Sequence, residues 1–357
     1  MQPKLLMLEI DGSQGEGGGQ VLRTSVALSA LAGRPFRISR IRANRPNPGL
    51  AAQHLTAVRA VAQACGGRVS GDFLGSASLE FHPANIASGN FSFDCGTAGS
   101  TALVLQSLLP AMFFSQGDCR ASLRGGTENK WAPTGLFLRG CFVPAMRRLG
   151  FGVDCTLEKF GFYPAGGGLL EASTSPCAGV KCFSAVSRGK LLRVRGISLV
   201  SSSLPMSVAE RQKSRALRQL CELSVSDAKI DLLQVDCESP GSEIFISAEF
   251  ENCSAGFSAL GERGKPAEKV AGEAMFAFKQ FLSTNACVET HVSDQLLPYA
   301  ALASGRSEFT VPEISSHFET NATVIMSFLP RAQISWEKRE NSFIVRVDGA
   351  GFSRPQK

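Results

Sequence analysis

Apolar helices bounded by glycine alternate with short strands along this chain, and the alternation recurs. "GGGQVLRTSVALSALAGRPFRI" (17–38) reads as a glycine turn, an apolar helix, a stop at Gly33 and Pro35, and a strand. "NPGLAAQHLTAVRAVAQACGGRV" (47–69) follows with Leu50, Leu55, Val58, Ala62 and Cys65 on one helical face and Gly66 at the stop. The same plan returns at 96–123 with 132–153, and again at 293–311 with 317–334. Each copy reads as helix, strand, polar loop, helix, strand, and the first two begin roughly eighty residues apart. Pro110 and Pro144 fall inside helical patterns, where kinks or early ends are expected.

Residues 186–285 interrupt the third copy. "KLLRVRGISLV" reads as a strand, Ser207 with Glu210 as a capping box before "RQKSRALRQL", "EIFISAEF" as an alternating strand and "AEKVAGEAMFAFKQFL" as an amphipathic helix. That is a small inserted βαββα-like unit. "AQISWEKRENSFIVRV" closes the chain as a hairpin turning at "REN". The fold expected is α/β of the α+β kind: a catalytic domain of three repeats over 1–185 and 286–357, with an inserted domain over 186–285. Polar loops of the three copies would converge on one cleft.

Composition narrows the class. The 357 residues carry a formal charge of +6 and are 44% hydrophobic. No run of eighteen apolar residues is present, so no membrane span is expected, and Met1 to Glu9 reads as a first strand rather than a leader. The eleven cysteines form no C-x-x-C. Buried reduced thiols in an intracellular protein account for them: cytoplasmic, or nuclear in a eukaryote. Charge is more telling locally. Arg34, Arg37, Arg40, Arg42 and Arg45 crowd one stretch without an acid among them, which suits either a solvated face or an anion site.

Four loops offer chemistry. In "DGSQGEGGGQVLR" (11–23), clustered glycines and a helix N-terminus suit an anion; Glu16 is a candidate metal ligand and Arg23 a candidate phosphate contact. A plain tight turn explains the same spacing. In "RANRPNPGLAAQH" (42–54), Arg42 and Arg45 precede a helix that carries Gln53 and His54 in its first turns, a plausible site for phosphate or RNA backbone. In "HVSDQLLPYAALASG" (291–305), Asp294 can cap a helix, orient a histidine or hold a metal. In "ISSHFETN", His317 is one of only four histidines. Spacing alone favours a helix-capping or satisfied polar residue, although a neutral imidazole is a competent nucleophile near neutral pH.

Taken together, "GEGGGQVLR", "NPGLAAQHLTAV", "GSTALVLQSLLP", "GFYPAGGG" and "HVSDQLLP" with "SSHFETN" resemble the RNA 3′-terminal phosphate cyclases over nearly the whole chain. The resemblance implies three repeats like the C-terminal domain of bacterial translation initiation factor 3, with one small insertion. It implies an ATP-dependent conversion of an RNA 3′-phosphate to a 2′,3′-cyclic phosphate through a histidine–AMP intermediate. By motif match the nucleophile falls on His317. Nucleotide contacts fall on Gln106, Pro133, His291, Asp294 and Gln295, and Asp294 is expected to orient His317. Glu16 becomes the ligand of a divalent metal, Mg or Mn. Arg23, Arg42, Arg45 and Gln53 become phosphate contacts for ATP or the RNA end. His291 stands where the family usually places an adenine-stacking tyrosine and offers less stacking area; Lys159, Phe160 and Glu128 also depart from the pattern. Three other readings stay open: a non-catalytic cyclase-like protein of ribosome assembly, an RNA-end binder without turnover, and an enolpyruvyl-type transferase.

Overall fold

The computed structural model describes residues 6–15 and 17–353. The first unit runs β1 (Leu8–Asp11), α1 (Gly19–Ala32), β2 (Phe36–Ser39), α2 (Ala52–Ala64), β3 (Arg68–Ser70) and β4 (Leu79–His82). The second runs β5 (Asn90–Asp94), α3 (Thr101–Phe113), β6 (Cys119–Gly125), α4 (Gly135–Phe137), a π-helical turn (Leu138–Phe142), α5 (Val143–Arg148), β7 (Val153–Lys159) and β8 (Gly168–Thr174). Next comes β9 (Ser184–Ala185), then β10 (Leu191–Ser201), α6 (Ser207–Glu222), β11 (Lys229–Val235), β12 (Ser242–Phe250), β13 (Ser254–Leu260) and α7 (Ala267–Leu282). The chain ends with α8 (Thr290–Leu302), β14 (Arg306–Val311), α9 (Ser316–Phe328), β15 (Gln333–Arg339) and β16 (Ser342–Asp348).

Three four-stranded sheets share one connectivity: β1-β2-β4-β3, β5-β6-β8-β7 and β9-β14-β16-β15. In each, the first two strands are parallel and the remaining pairs antiparallel. A parallel pair needs a crossover, and a helix supplies it each time. The fourth sheet, β11-β10-β12-β13, lies between β9 and α8 in sequence. It holds one strand more than the expected βαββα.

Two apolar cores follow from strand alternation. On β10 and β12, Val194, Ile244 and Ile246 face α6 and α7 and build a separate cluster with Ala216, Leu220, Val270 and Phe278. The opposite face, with Leu199 and Phe245, joins the large cluster that spans the other three sheets. Aromatic pairs tie the units of that cluster. Phe36 meets Phe81 at 5.8 Å and Phe328 of α9 at 5.6 Å. Tyr299 of α8 meets Phe113 at 6.0 Å and Phe151 at 5.1 Å. Each such pair adds about 0.5–1.5 kcal/mol beyond the area it buries.

Local details sharpen the sequence reading. The Ser207–Glu210 capping box does not form: α6 begins at Ser207 itself, after Met206, with no side-chain cap. Pro110 sits inside α3, which ends one turn later. Pro144 opens α5 directly after the π turn; proline cannot bond back to the carbonyl four residues earlier, and widening the helix accommodates that loss. The last hairpin turns at Glu340 and Asn341, as expected. All eleven cysteines are free, but Cys182 and Cys221 are exposed rather than buried. Among the described residues no helix is long and apolar enough to cross a membrane.

The "GFYPAGGG" loop serves the junction with the fourth sheet. The Gly161 carbonyl accepts from Thr127 N (2.9 Å) and Glu128 N (3.1 Å), Ala165 N donates to Ser239 Oγ (3.0 Å) and Lys159 pairs with Glu238 (3.0 Å). Beneath it lie two buried carboxyls, Glu128 and Glu243, close enough that each acts on the other's proton. Thr134 Oγ1 donates to Glu243 Oε1 at 2.6 Å, and Gly135 N to Glu128 Oε2 at 3.1 Å. Burial and the neighbouring carboxyl push Glu128 up, and burial pushes Glu243 up to about 6. Both folded values lie above the ordinary 4.5, so this stabilisation is complete at low pH and is lost as pH rises through the folded values. The thermal unfolding temperature should therefore fall as pH rises through about 6 in the wild type and change less in Glu128→Gln, whose amide donates at every pH. Equal slopes in thermal melts of the two proteins would refute the shared proton.

Candidate active site

Two hydrogen bonds one helical turn apart join α1 to α9. Gln20 Oε1 lies 2.6 Å from His317 Nδ1, and Thr24 Oγ1 donates to Asn321 Oδ1 at 2.7 Å. Residues four apart share a helix face, so Gln20 with Thr24 and His317 with Asn321 form facing rungs. Asn321, buried, also donates through Nδ2 to the Asp294 carbonyl at 2.8 Å and so binds α8 to the pair. The glycine loop before α1 permits this close approach. A Cβ on Gly15 (φ +59) would lie 1.9 Å from Thr320 Oγ1, and one on Gly19 would lie 2.0 Å from His54 Nε2.

His317 stands in the first turn of α9, exposed. The helix is capped by Ser315, whose Oγ accepts from Phe318 N at 3.0 Å, so the histidine is not the cap. An amide oxygen can only accept, so in this contact the ring donates from Nδ1. Asp294 does not cap α8 either; Glu289 does, accepting from His291 N (2.9 Å) and Val292 N (3.0 Å). The Asp294 carboxylate instead accepts from Ser315 Oγ at 3.1 and 3.2 Å. Burial pushes Asp294 up to about 7, against the opposing pull of the nearby His317 and the Ser315 hydroxyl. Its influence on His317 is electrostatic, and the direct ring contact belongs to Gln20. His291, exposed in the first turn of α8, lies close enough to act on both Glu289 and Asp294.

A cleft opens beside these rungs, lined by Gln20, Arg23, Gln106, Asp294, Gln295 and Asn321 over an apolar floor that includes Leu28 and Tyr299. Gln106 Nε2 and Gln295 Oε1 are buried there without a hydrogen-bond partner among the described residues. Unsatisfied buried amide groups are costly, and a ligand with both donor and acceptor edges would satisfy them. The residues therefore fit a nucleotide. Pro133 is half-buried in the loop before Thr134 and does not line this cleft. Gln53 is committed elsewhere: its Oε1 accepts from Ser100 N (2.8 Å) and joins α2 to the start of α3. Glu16 lies outside the described residues. Among those described, no group of three or more His, Cys, Asp or Glu is placed to hold a metal.

The arginine run divides in two. Arg37 pairs with Glu80 and Arg40 with Asp11, so these two staple the first unit, while Arg34 Nη1 donates to the Ser327 carbonyl of α9 (3.2 Å) and ties that unit to the last. Arg42 turns inward from a left-handed backbone (φ 53) and donates to the Gly49 carbonyl at 2.8 Å. Arg23, Arg42 and Arg45 all act on buried His54, and burial with their charges lowers that imidazole to about 3. His54 is thus neutral, and its Nδ1 has no hydrogen-bond partner among the described residues. Three guanidinium groups gather around a neutral ring next to the glycine loop, and arginine forks match phosphate oxygens.

The RNA 3′-terminal phosphate cyclase family model matches residues 14–333. Among similar proteins named RNA 3′-terminal phosphate cyclase, one from Ignicoccus hospitalis is 42% identical over 98% of this chain and all of its own. Another from Sulfurisphaera tokodaii is 44% identical over 93% of this chain and 97% of its own. One from Salmonella typhimurium is 39% identical over 96% and 98%. The chain belongs to the RNA 3′-terminal phosphate cyclase family. Sequence reasoning missed Gln20 and Asn321 and the burial of His54. Gln20 and Thr24, like His317 and Asn321, lie four apart, but nothing in the sequence pairs the two helices.

The Gln20 contact has a spectroscopic consequence. At a pH where the His317 ring is neutral, nitrogen NMR should show its proton mainly at Nδ1, and Gln20→Met should shift the population toward the Nε2–H tautomer. An unchanged tautomer ratio would show that Gln20 does not set it.

Proposed function

We propose that this protein converts the 3′-terminal phosphate of an RNA to a 2′,3′-cyclic phosphate at the expense of ATP, with His317 as the nucleophile. The observation that carries the reading is the Gln20–His317 contact beside a cleft that Gln20 lines, where the buried amides of Gln106 and Gln295 lack partners among the described residues. Family membership supports the overall reaction. The amides of Gln106 and Gln295 suit the nucleotide, and Arg23, Arg42 and Arg45 suit its phosphates or the RNA end. We also take residues 1–185 with 286–357 as the catalytic domain and 186–285 as an inserted domain, a division supported by the separate core beneath α6 and α7.

In the first step His317 Nε2 attacks the α-phosphorus of ATP, a P–N bond forms, and the P–O bond to pyrophosphate breaks. The charge of Asp294 steadies the ring as it becomes cationic. In the second, an oxygen of the RNA 3′-phosphate attacks the same phosphorus, breaking the P–N bond and returning the imidazole. In the third, the vicinal 2′-oxygen, losing its proton, attacks the RNA phosphorus and AMP leaves. A phosphate monoester is a poor electrophile because its leaving groups are poor; joined to AMP it has a good one, and the 2′-hydroxyl is already in place. A divalent metal, Mg or Mn, would be held by Glu16 and would neutralise phosphate charge when bound. No step above is routed through it.

His317→Ala should remove AMP capture entirely while leaving the thermal melt within about 1 kcal/mol of wild type, since the side chain is exposed. Intact mass after incubation with ATP, with peptide mapping of the adduct, is the measurement. An adduct that persists in His317→Ala, or maps elsewhere, would overturn the assignment.

A further inference from the structure

Helix α6 carries Arg211, Arg215 and Arg218 along one stripe, while Ala209, Gln212, Ala216 and Leu220 on the other side are buried against the sheet. Helix α7 lies alongside. Arg211 holds Glu268 through two bonds of 2.7 Å, and Glu222 pairs with Lys279 at 3.8 Å. Both pairs span 57 positions, so the helices run side by side in the same direction with Arg215 level with Gly272. A Cβ built on Gly272 would meet nothing within 4 Å. The result is a groove of about 370 Å³ lined by Arg211, Ser214, Arg215, Arg218, Glu268 and Lys269.

Its charges do not cancel. Glu268 is taken up by Arg211, which holds its carboxyl down near 2. Arg215, Arg218 and Lys269 make no ion pair among the described residues. One turn beyond Gly272 on α7, Phe276 is 62% exposed, an uncommon placement for a large aromatic. Cations spaced by three or four residues, a hydroxyl and an exposed ring in one line form the combination that holds a single strand, phosphates on the guanidinium groups and a base on the ring. The groove lies on the sheet face opposite Leu199 and Phe245, which pack into the main body. It is therefore separate from the cleft beside His317.

We propose that the groove between α6 and α7 binds the single-stranded body of the RNA, upstream of the 3′ end held at the cleft. This rests on the reading that the substrate is RNA. The catalytic cleft then needs only the terminal phosphate and its sugar, and the insertion supplies the affinity that distinguishes a long RNA from a short one.

The test compares wild type with Arg215→Glu/Arg218→Glu/Lys269→Glu, and with Phe276→Ala, after thermal melts establish that both variants fold. Fluorescence anisotropy with a long single-stranded RNA ending in a 3′-hydroxyl reads binding without any chemistry. The triple variant should bind at least tenfold more weakly, and its log–log salt slope should fall by about 2, because each lost single-strand phosphate contact removes about 0.7. Phe276→Ala should weaken binding severalfold and leave the slope unchanged. With a 3′-phosphorylated RNA, the triple variant should raise KM for the long strand and not for a very short one, with kcat and ATP-dependent adduct formation as in wild type. Equal affinity of variant and wild type for the long RNA would assign the groove to another anion, such as an acidic polypeptide, and overturn the inference while leaving the cyclase reading intact. Failure of wild type to bind any RNA would remove both.

Discussion

The site depends on Asn321. One buried amide accepts from Thr24 of α1 and donates to the backbone of α8, and through its own helix it fixes where His317 stands. An exposed imidazole by itself samples several rotamers. Here the ring is held because the helix that carries it is registered against α1 by the Thr24 rung, and the Gln20 rung one turn earlier fixes its tautomer. A buried, fully bonded amide is intolerant of shifts in register, since a slip of one residue would strand its donors and acceptors. Three helices from opposite ends of the chain therefore meet with little play.

Charge is apportioned by the same logic. Arginines whose strands bring an acid alongside become staples, as with Arg37 and Arg40. Arg23, Arg42 and Arg45 gather around an imidazole kept neutral by its burial and then by their charges. The arrangement lies next to a glycine loop whose missing side chains let α2, α9 and the start of α1 close together.

The fold was largely legible. Helix and strand periods, glycine stops and the recurrence of one plan led to three similar sheets and an interruption between them, because local burial patterns follow from repeated local geometry. The misreadings were also local. Ser207 and Glu210 have the spacing of a capping box, yet the helix starts at the serine. Asp294 looked like a cap because polar residues often are, but Glu289 reaches the free amides first. "GFYPAGGG", quoted for the family resemblance alone, builds the junction with the fourth sheet.

By itself the sequence determined which residues were available: one histidine in a polar turn, glycines before α1, arginines before α2, and the order of elements that places them in loops. It also marked His317, Gln106, Asp294 and Gln295 through family resemblance. Only the tertiary structure decided which side chains touch. Gln20 and His317 are separated by 297 positions, and no periodicity reports on contacts at that range; they meet because packing a shared core fixes the relative register of α1, α8 and α9. Which arginines become staples between strands was settled in the same way, by the acids that strand pairing brings alongside Arg37 and Arg40.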